Sequence, residues 1–195
     1  MTGQLRVSRR GRADRGFTLV EALICVVLVG MLASIALPRL NLDAYQVSGA
    51  VRGITSTLSY AQRLAITLQH NVVVAFNVPS NGIRIHEDAD NDGAIDGGER
   101  VRFVPLSEGI VFGRSTAPAH TIGGANINFT RTQDGMPAIY LRRDGSASEN
   151  GGFYIVPVRS VARNSPLEAR ACEIVRATGR VTWSRYTGGA WVRGD

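Results

Sequence analysis

The sequence predicts an α+β protein: one long N-terminal helix, apolar in its first half, whose second half packs on a mainly antiparallel β-sheet. Three observations predict it. Residues Ala22 to Pro38 run seventeen positions without a charge. Val51, Ile54, Leu58, Ala61, Ala65 and Leu68 then recur at helical spacing along one stripe. From Asn71 onward the chain breaks into short β-branched runs bounded by turn residues. One long helix followed by many short strands gives an α+β domain rather than alternating layers. At 195 residues there is room for one compact domain beside the helix.

The N-terminus comes first. Arg6, Arg9, Arg10, Arg12 and Arg15 stand against the single Asp14 in residues 1–16. A secretory signal places its small-residue cleavage site after the apolar stretch. Here the small residue, Gly16, precedes it, so a cut after Gly16 leaves the hydrophobic helix on the mature chain with Phe17 at its head. The 22 residues from Phe17 to Pro38 span roughly 33 Å at helical rise, enough to cross a bilayer. The basic flank predicts a cytoplasmic start and a helix pointing outward.

Glu21 is the residue that needs explaining. A carboxylate inside a span costs about 2.5–3.5 kcal/mol on insertion scales, so it calls for a partner or a role. The amino terminus of Phe17 on a neighbouring copy is a natural counter-charge. Pairing the two would set the stagger between copies in a helical filament.

Beyond Pro38 the predicted stem occupies residues 39–70, with Gly49 and Gly53 weakening the helix near its start. Strands are predicted at Val72–Phe76, Gly82–His86, Val101–Val104, Gly109–Phe112, Ile127–Thr130, Ala138–Leu141, Phe153–Val158, Ala171–Arg176 and Arg180–Ser184. Ser115–Asn126 and Arg159–Pro166 read as exposed loops. The β-rich domain is predicted over residues 71–195.

Composition narrows the partners. The formal charge is +6, but residues 1–16 hold +4 of it, so the trimmed chain keeps only +2. That is too little to argue for nucleic acid on charge alone. All 22 basic residues are arginine. Cys25 lies in the apolar helix and Cys172 in the β-rich part, which leaves no disulfide framework.

The run Gly16-Phe-Thr-Leu-Val-Glu21 and the apolar stretch to Pro38 resemble the signal of type IV pilins and type II secretion pseudopilins. That resemblance implies a type IV pilin-like fold and a prepilin peptidase that cuts after Gly16 and methylates Phe17. Further along, the chain resembles the GspH/FimT group. The shared elements are the helix Leu58-Ser-Tyr-Ala-Gln-Arg-Leu-Ala65, the turn Arg143-Asp144-Gly145-Ser146, and the turn Ala177-Thr178-Gly179-Arg180-Val181.

Asp88-Ala-Asp90-Asn-Asp92-Gly93, followed by five residues and Glu99, matches the EF-hand loop at every specified position. Asp88, Asp90, Asp92, the Ala94 carbonyl, Asp96 through water, and bidentate Glu99 would supply oxygens to Ca²⁺. Ile95 stands where such loops place an apolar anchor. The flanks Ile83-Arg-Ile85 and Val101-Arg-Phe103 alternate as strands, so the loop would cap a β-hairpin rather than join two helices. An acidic turn that binds nothing is the competing reading.

Arginines and aromatics interleave at the C-terminus, where Arg180, Arg185 and Arg193 accompany Trp183, Tyr186 and Trp191. Such a surface can hold single-stranded nucleic acid. FimT-like minor pilins of DNA uptake carry a Gly-Arg-x-Arg element near this place; Gly179 and Arg180 match it, but Thr182 replaces the second arginine. His70, His86 and His120 show no metal-ligand spacing, and no catalytic constellation points to an enzyme.

The resemblance implies a structural minor pseudopilin of the H type. It would be a single-pass inner-membrane protein whose C-terminal domain lies in the periplasm, partnered by other pseudopilins in a short filament. The alternative it implies is a FimT-like minor pilin working in pilus assembly or DNA uptake.

Overall fold

A computed structural model of the chain describes residues 17–36 and 42–194. The expected leader, its Gly16 junction and Pro38 lie outside the described residues. The chain divides into two compact units, Met1–Asn41 and Leu42–Asp195.

The first unit contributes helix α1, Leu19–Ala36. Its side chains are exposed throughout Leu19–Ser34, including Leu19, Val26 and Leu32. Among the described residues no helix is long and apolar enough to cross a membrane. α1 itself is 18 residues, about 27 Å, and the expected span runs past its end to Pro38, outside the described residues.

The second unit is built around α2, Leu42–Leu68. Its buried face is Val47, Ala50, Val51, Ile54, Leu58, Ala61 and Ala65, which extends the predicted stripe by one turn at its N-terminal end. Leu68, predicted to close the stripe, is instead 40% exposed because the helix ends there, past the sheet it packs on. Gly49 and Gly53 sit within an unbroken helix.

Two antiparallel sheets flank this helix rather than the single sheet expected. The first has the order β3-β2-β1-β7-β6. Its strands are β1 Asn71–Asn77, β2 Gly82–Asp88, β3 Val101–Pro105, β6 Thr132–Gln133 and β7 Met136–Leu141. The second runs β11-β10-β9-β8-β4, with β5 also pairing β8. It is built from β4 Ile110–Phe112, β5 Ile127–Asn128, β8 Gly151–Pro157, β9 Arg170–Ile174, β10 Val181–Tyr186 and β11 Trp191–Arg193.

Alternation explains how one core serves both sheets. Val72, Val74 and Phe76 of β1, Phe153 and Ile155 of β8, and Cys172 and Ile174 of β9 join the α2 stripe in a single cluster. Phe76 from the first sheet meets Phe112 and Phe153 from the second at ring separations of 5.9 and 4.9 Å, so aromatics bridge the two sheets.

Each of the two segments predicted as exposed loops holds a buried residue, Ala117 in one and Ser160 in the other. A short helix, α3 Val158–Ala162, takes up the start of Arg159–Pro166 and follows Pro157, whose extended backbone suits the residue before a helix. Within Ser115–Asn126, Ala117 is buried, and the Tyr154 hydroxyl accepts from the His120 amide at 2.7 Å and donates to Gly123 O at 2.6 Å. Tyr154 therefore pins that segment to the sheet.

Candidate functional site

Three places carry chemistry. The first is the head of α1. The Glu21 amide donates to Thr18 Oγ1 at 3.2 Å, and the Thr18 amide points back to a Glu21 carboxylate oxygen at 3.5 Å. Thr18-Leu-Val-Glu21 is therefore a capping box, in which two otherwise unpaired helix-end amides are satisfied reciprocally. Glu21 thus has a local role that its spacing from Thr18 signalled and that the charge argument overlooked. Phe17 is exposed beside it.

The second is the acidic hairpin. β2 and β3 pair antiparallel, with His86 opposite Val101, so the loop joins two strands. Along β2, Ile83 and Ile85 enter the core, which turns Arg84, His86 and Asp88 to the other face of the sheet. There the loop is tied back onto the strands. The Asn71 amide donates to Asn91 Oδ1 at 2.8 Å, and Gln133 Nε2 donates to Gly93 O at 2.8 Å. Gly93 has φ +82°, and a Cβ there would press on the Tyr140 hydroxyl, so both backbone and space require glycine.

Hydrogen bonds fix the carboxylates one by one. Glu99 Oε1 accepts from the Ala89 amide at 2.8 Å, while Oε2 accepts from the Asp96 amide at 3.0 Å and lies 2.6 Å from His86 Nε2. The Asp96 amide, then His86 and the Ala89 amide, hold the Glu99 carboxyl down at about 2. Asp92 Oδ1 accepts from the Ala94 amide at 2.7 Å, and Asp90 Oδ1 from the Asp92 amide at 3.2 Å. Of the predicted ligand carboxylates, oxygens of Asp88, Asp90 and Glu99 come within 4.8 Å of one another, as do those of Asp90, Asp92 and Asp96. Ile95, expected as an apolar anchor, is 37% exposed because the loop lies over strands and has no helix pair to anchor into.

Behind Glu99 stands a chain of side chains that spacing did not reveal. Arg84 Nη2 donates to Gln133 Oε1 at 3.0 Å and to Asp134 Oδ2 at 2.6 Å. That fixes the Gln133 amide, whose Nε2 lies 2.9 Å from His86 Nδ1. With Nδ1 as acceptor, the His86 proton sits on Nε2 and is donated to Glu99. His86 and Gln133 are buried.

The third place is a groove of about 910 Å³ between α2 and the last strands. Arg52 and Arg63 of α2 line it together with Arg180, Thr182, Trp183 and Arg193. Of the three C-terminal arginines singled out in the sequence, Arg180 and Arg193 line this groove and Arg185 does not. The helix arginines were visible only as residues off the apolar stripe.

The shared helix and the two shared turns also converge. Gln62 Nε2 donates to Gly145 O at 2.6 Å and to Thr178 O at 2.7 Å. Gly179, at φ +59°, packs so closely on Gly145 O and Gln62 that a Cβ would not fit.

This architecture is that of a type IV pilin-like protein, and comparison with known proteins agrees. The prokaryotic N-terminal methylation motif matches residues 11–37. The family of Type II transport protein GspH matches residues 50–179, and the chain belongs to that family. Two curated proteins of Pseudomonas aeruginosa, each described as a fimbrial protein, are 32% identical over 135 residues, covering 64% of this chain and 84% of each relative. No solved structure matches. The methylation motif implies a prepilin peptidase as processing partner, pilin-like assembly into filaments, and an N-terminus anchored in the inner membrane.

Proposed function

We propose that the chain is a minor pseudopilin of the H type, a structural subunit rather than an enzyme, added to a periplasmic filament that drives exoproteins through a type II secretion system. In this reading residues 1–16 are a leader cut after Gly16, residues 17–38 the membrane and assembly helix, residues 39–70 the stem, and residues 71–195 the periplasmic domain. The observation that carries it is the GspH match over residues 50–179 behind a methylation motif over residues 11–37. An apolar helix exposed on all sides supports assembly against other copies and lipid.

The capping box decides how Glu21 is tested. Glu21→Val removes both the cap and the charge, whereas Glu21→Gln keeps a capping residue and removes only the charge. Both should be trimmed to a mature chain starting at Phe17. If Glu21 pairs with a neighbour's amino terminus, both should leave the exoprotein in the periplasm when introduced into a deletion strain. Wild-type secretion by Glu21→Gln would refute the pairing. Secretion by the deletion strain itself would refute the pseudopilin reading.

A second reading, a FimT-like minor pilin of pilus assembly or DNA uptake, is favoured by the four-arginine groove and by the fimbrial relatives. It requires that the full chain in detergent retain DNA in a salt-dependent manner, and that Arg63 and Arg180 be needed for it.

A further inference from the structure

The geometry points to a Ca²⁺ site on the acidic hairpin, formed by Asp88, Asp90 and Glu99 and completed by other loop oxygens and water. It is independent of which filament the chain joins.

The acidic cluster alone would not carry this. The observation that does is Asp88. It is fully buried, 0% exposed. Its Oδ1 accepts from the Gly93 amide at 3.2 Å, while Oδ2 is sealed from solvent and meets no donor among the described residues. A carboxylate oxygen left in that state costs free energy unless something positive meets it. Arg84, the nearest arginine along β2, is committed to Gln133 and Asp134. His86, two residues before Asp88 on the same face, is held between Gln133 and Glu99.

The separations fit one ion. Two oxygens that each sit about 2.4 Å from a Ca²⁺ can be at most about 4.8 Å apart. Asp88, Asp90 and Glu99 each offer an oxygen within 4.8 Å of the others. All three donors are oxygens, from the last residue of β2 and the loop that follows it, a set that suits Ca²⁺, which accepts six to eight ligands in loose geometry, better than Mg²⁺, which demands an octahedron. Glu99 Oε1 has a single amide donor and so keeps a lone pair for the ion. His86 acts as a positioning residue, holding Glu99 through Oε2 while Gln133 fixes the imidazole.

The test is calorimetric titration and thermal melting of the chelator-stripped full chain in detergent. Wild type should bind Ca²⁺ with the submillimolar to millimolar affinity of extracellular sites, and its melting midpoint should rise by roughly 3–8 °C at about 10 mM Ca²⁺. The same concentration of Mg²⁺ should do far less. Asp90→Asn changes an exposed side chain, so the fold survives, and Ca²⁺ affinity should fall at least about tenfold. Asp88→Asn should abolish binding while leaving the metal-free melt unchanged or higher, since it removes a buried charge. Absence of heat and of any midpoint shift in wild type overturns the site. So does undiminished binding by Asp88→Asn.

Discussion

The two long helices of this chain are opposites. α2 shows one apolar face and hides it against strands of both sheets. α1 is apolar nearly all round, and its side chains are exposed from Leu19 to Ser34. A helix of the first kind is stabilised by its own domain; one of the second kind needs lipid or other copies to cover it. The difference lies in where the partners are, and it sets what mutations in each helix should report.

The largest contrast should come from paired truncations. Leu58→Ala opens a cavity in the shared core and should cost about 2–5 kcal/mol in unfolding of the full chain in detergent. Val27→Ala, on α1, should leave that transition where it is. Equal losses from the two would mean that α1 is part of the domain's own core.

Gln62 sharpens the comparison on the polar side of α2. Gln62→Ala strips the donor from Gly145 O and Thr178 O and should cost roughly 1–3 kcal/mol by the same melts. A neutral result would show that water replaces the amide at both turns.

Smaller again is a pH effect on the sheet side. Burial alone would raise the Glu149 carboxyl, but the Thr130 hydroxyl and the Thr130 and Arg131 amides outweigh it and hold the group below its usual value. A depressed folded pKa gives stability that is present above the unfolded carboxylate range and lost as pH falls through the folded value. The stability gap between wild type and Glu149→Gln should therefore shrink between roughly pH 7 and pH 3. A gap that stays constant would mean the carboxylate charge is not what the loop holds.

The last contrast changes no stability. Burial pushes the Cys172 thiol up to about 12, whereas Cys25 is exposed on α1. N-Ethylmaleimide should label one thiol per folded chain near neutral pH and two after denaturation. Rapid labelling of both would show that the core around Cys172 opens readily.

How much of this was legible follows from the same physics. Val72–Phe76 read as a strand because five apolar residues in a row fill a buried strand, and β1 is buried through Val72–Phe76. β6 and β11, at two and three residues, are too short to carry a period. α3 was missed for the same reason, although Pro157 before it was a signal. In the hairpin, the carboxylates were legible as a motif, while their support was not. Arg84, His86 and Asp88 could have been placed on one face by alternation, but Gln133 arrives from 47 positions away through sheet pairing. Arg52 and Arg63 joined Arg180 only once α2 was docked on the last strands.

One strand has a consequence of its own. β8 is buried at each of its seven residues and is paired on both sides, by β4 and β5 and by β9. Its amide hydrogens should pass to deuterium only when the whole domain lets go, whereas those of β3 and β11, at the outer edges, should exchange through fraying. The slowest peptides in such a measurement would then give the global opening free energy directly, without denaturant.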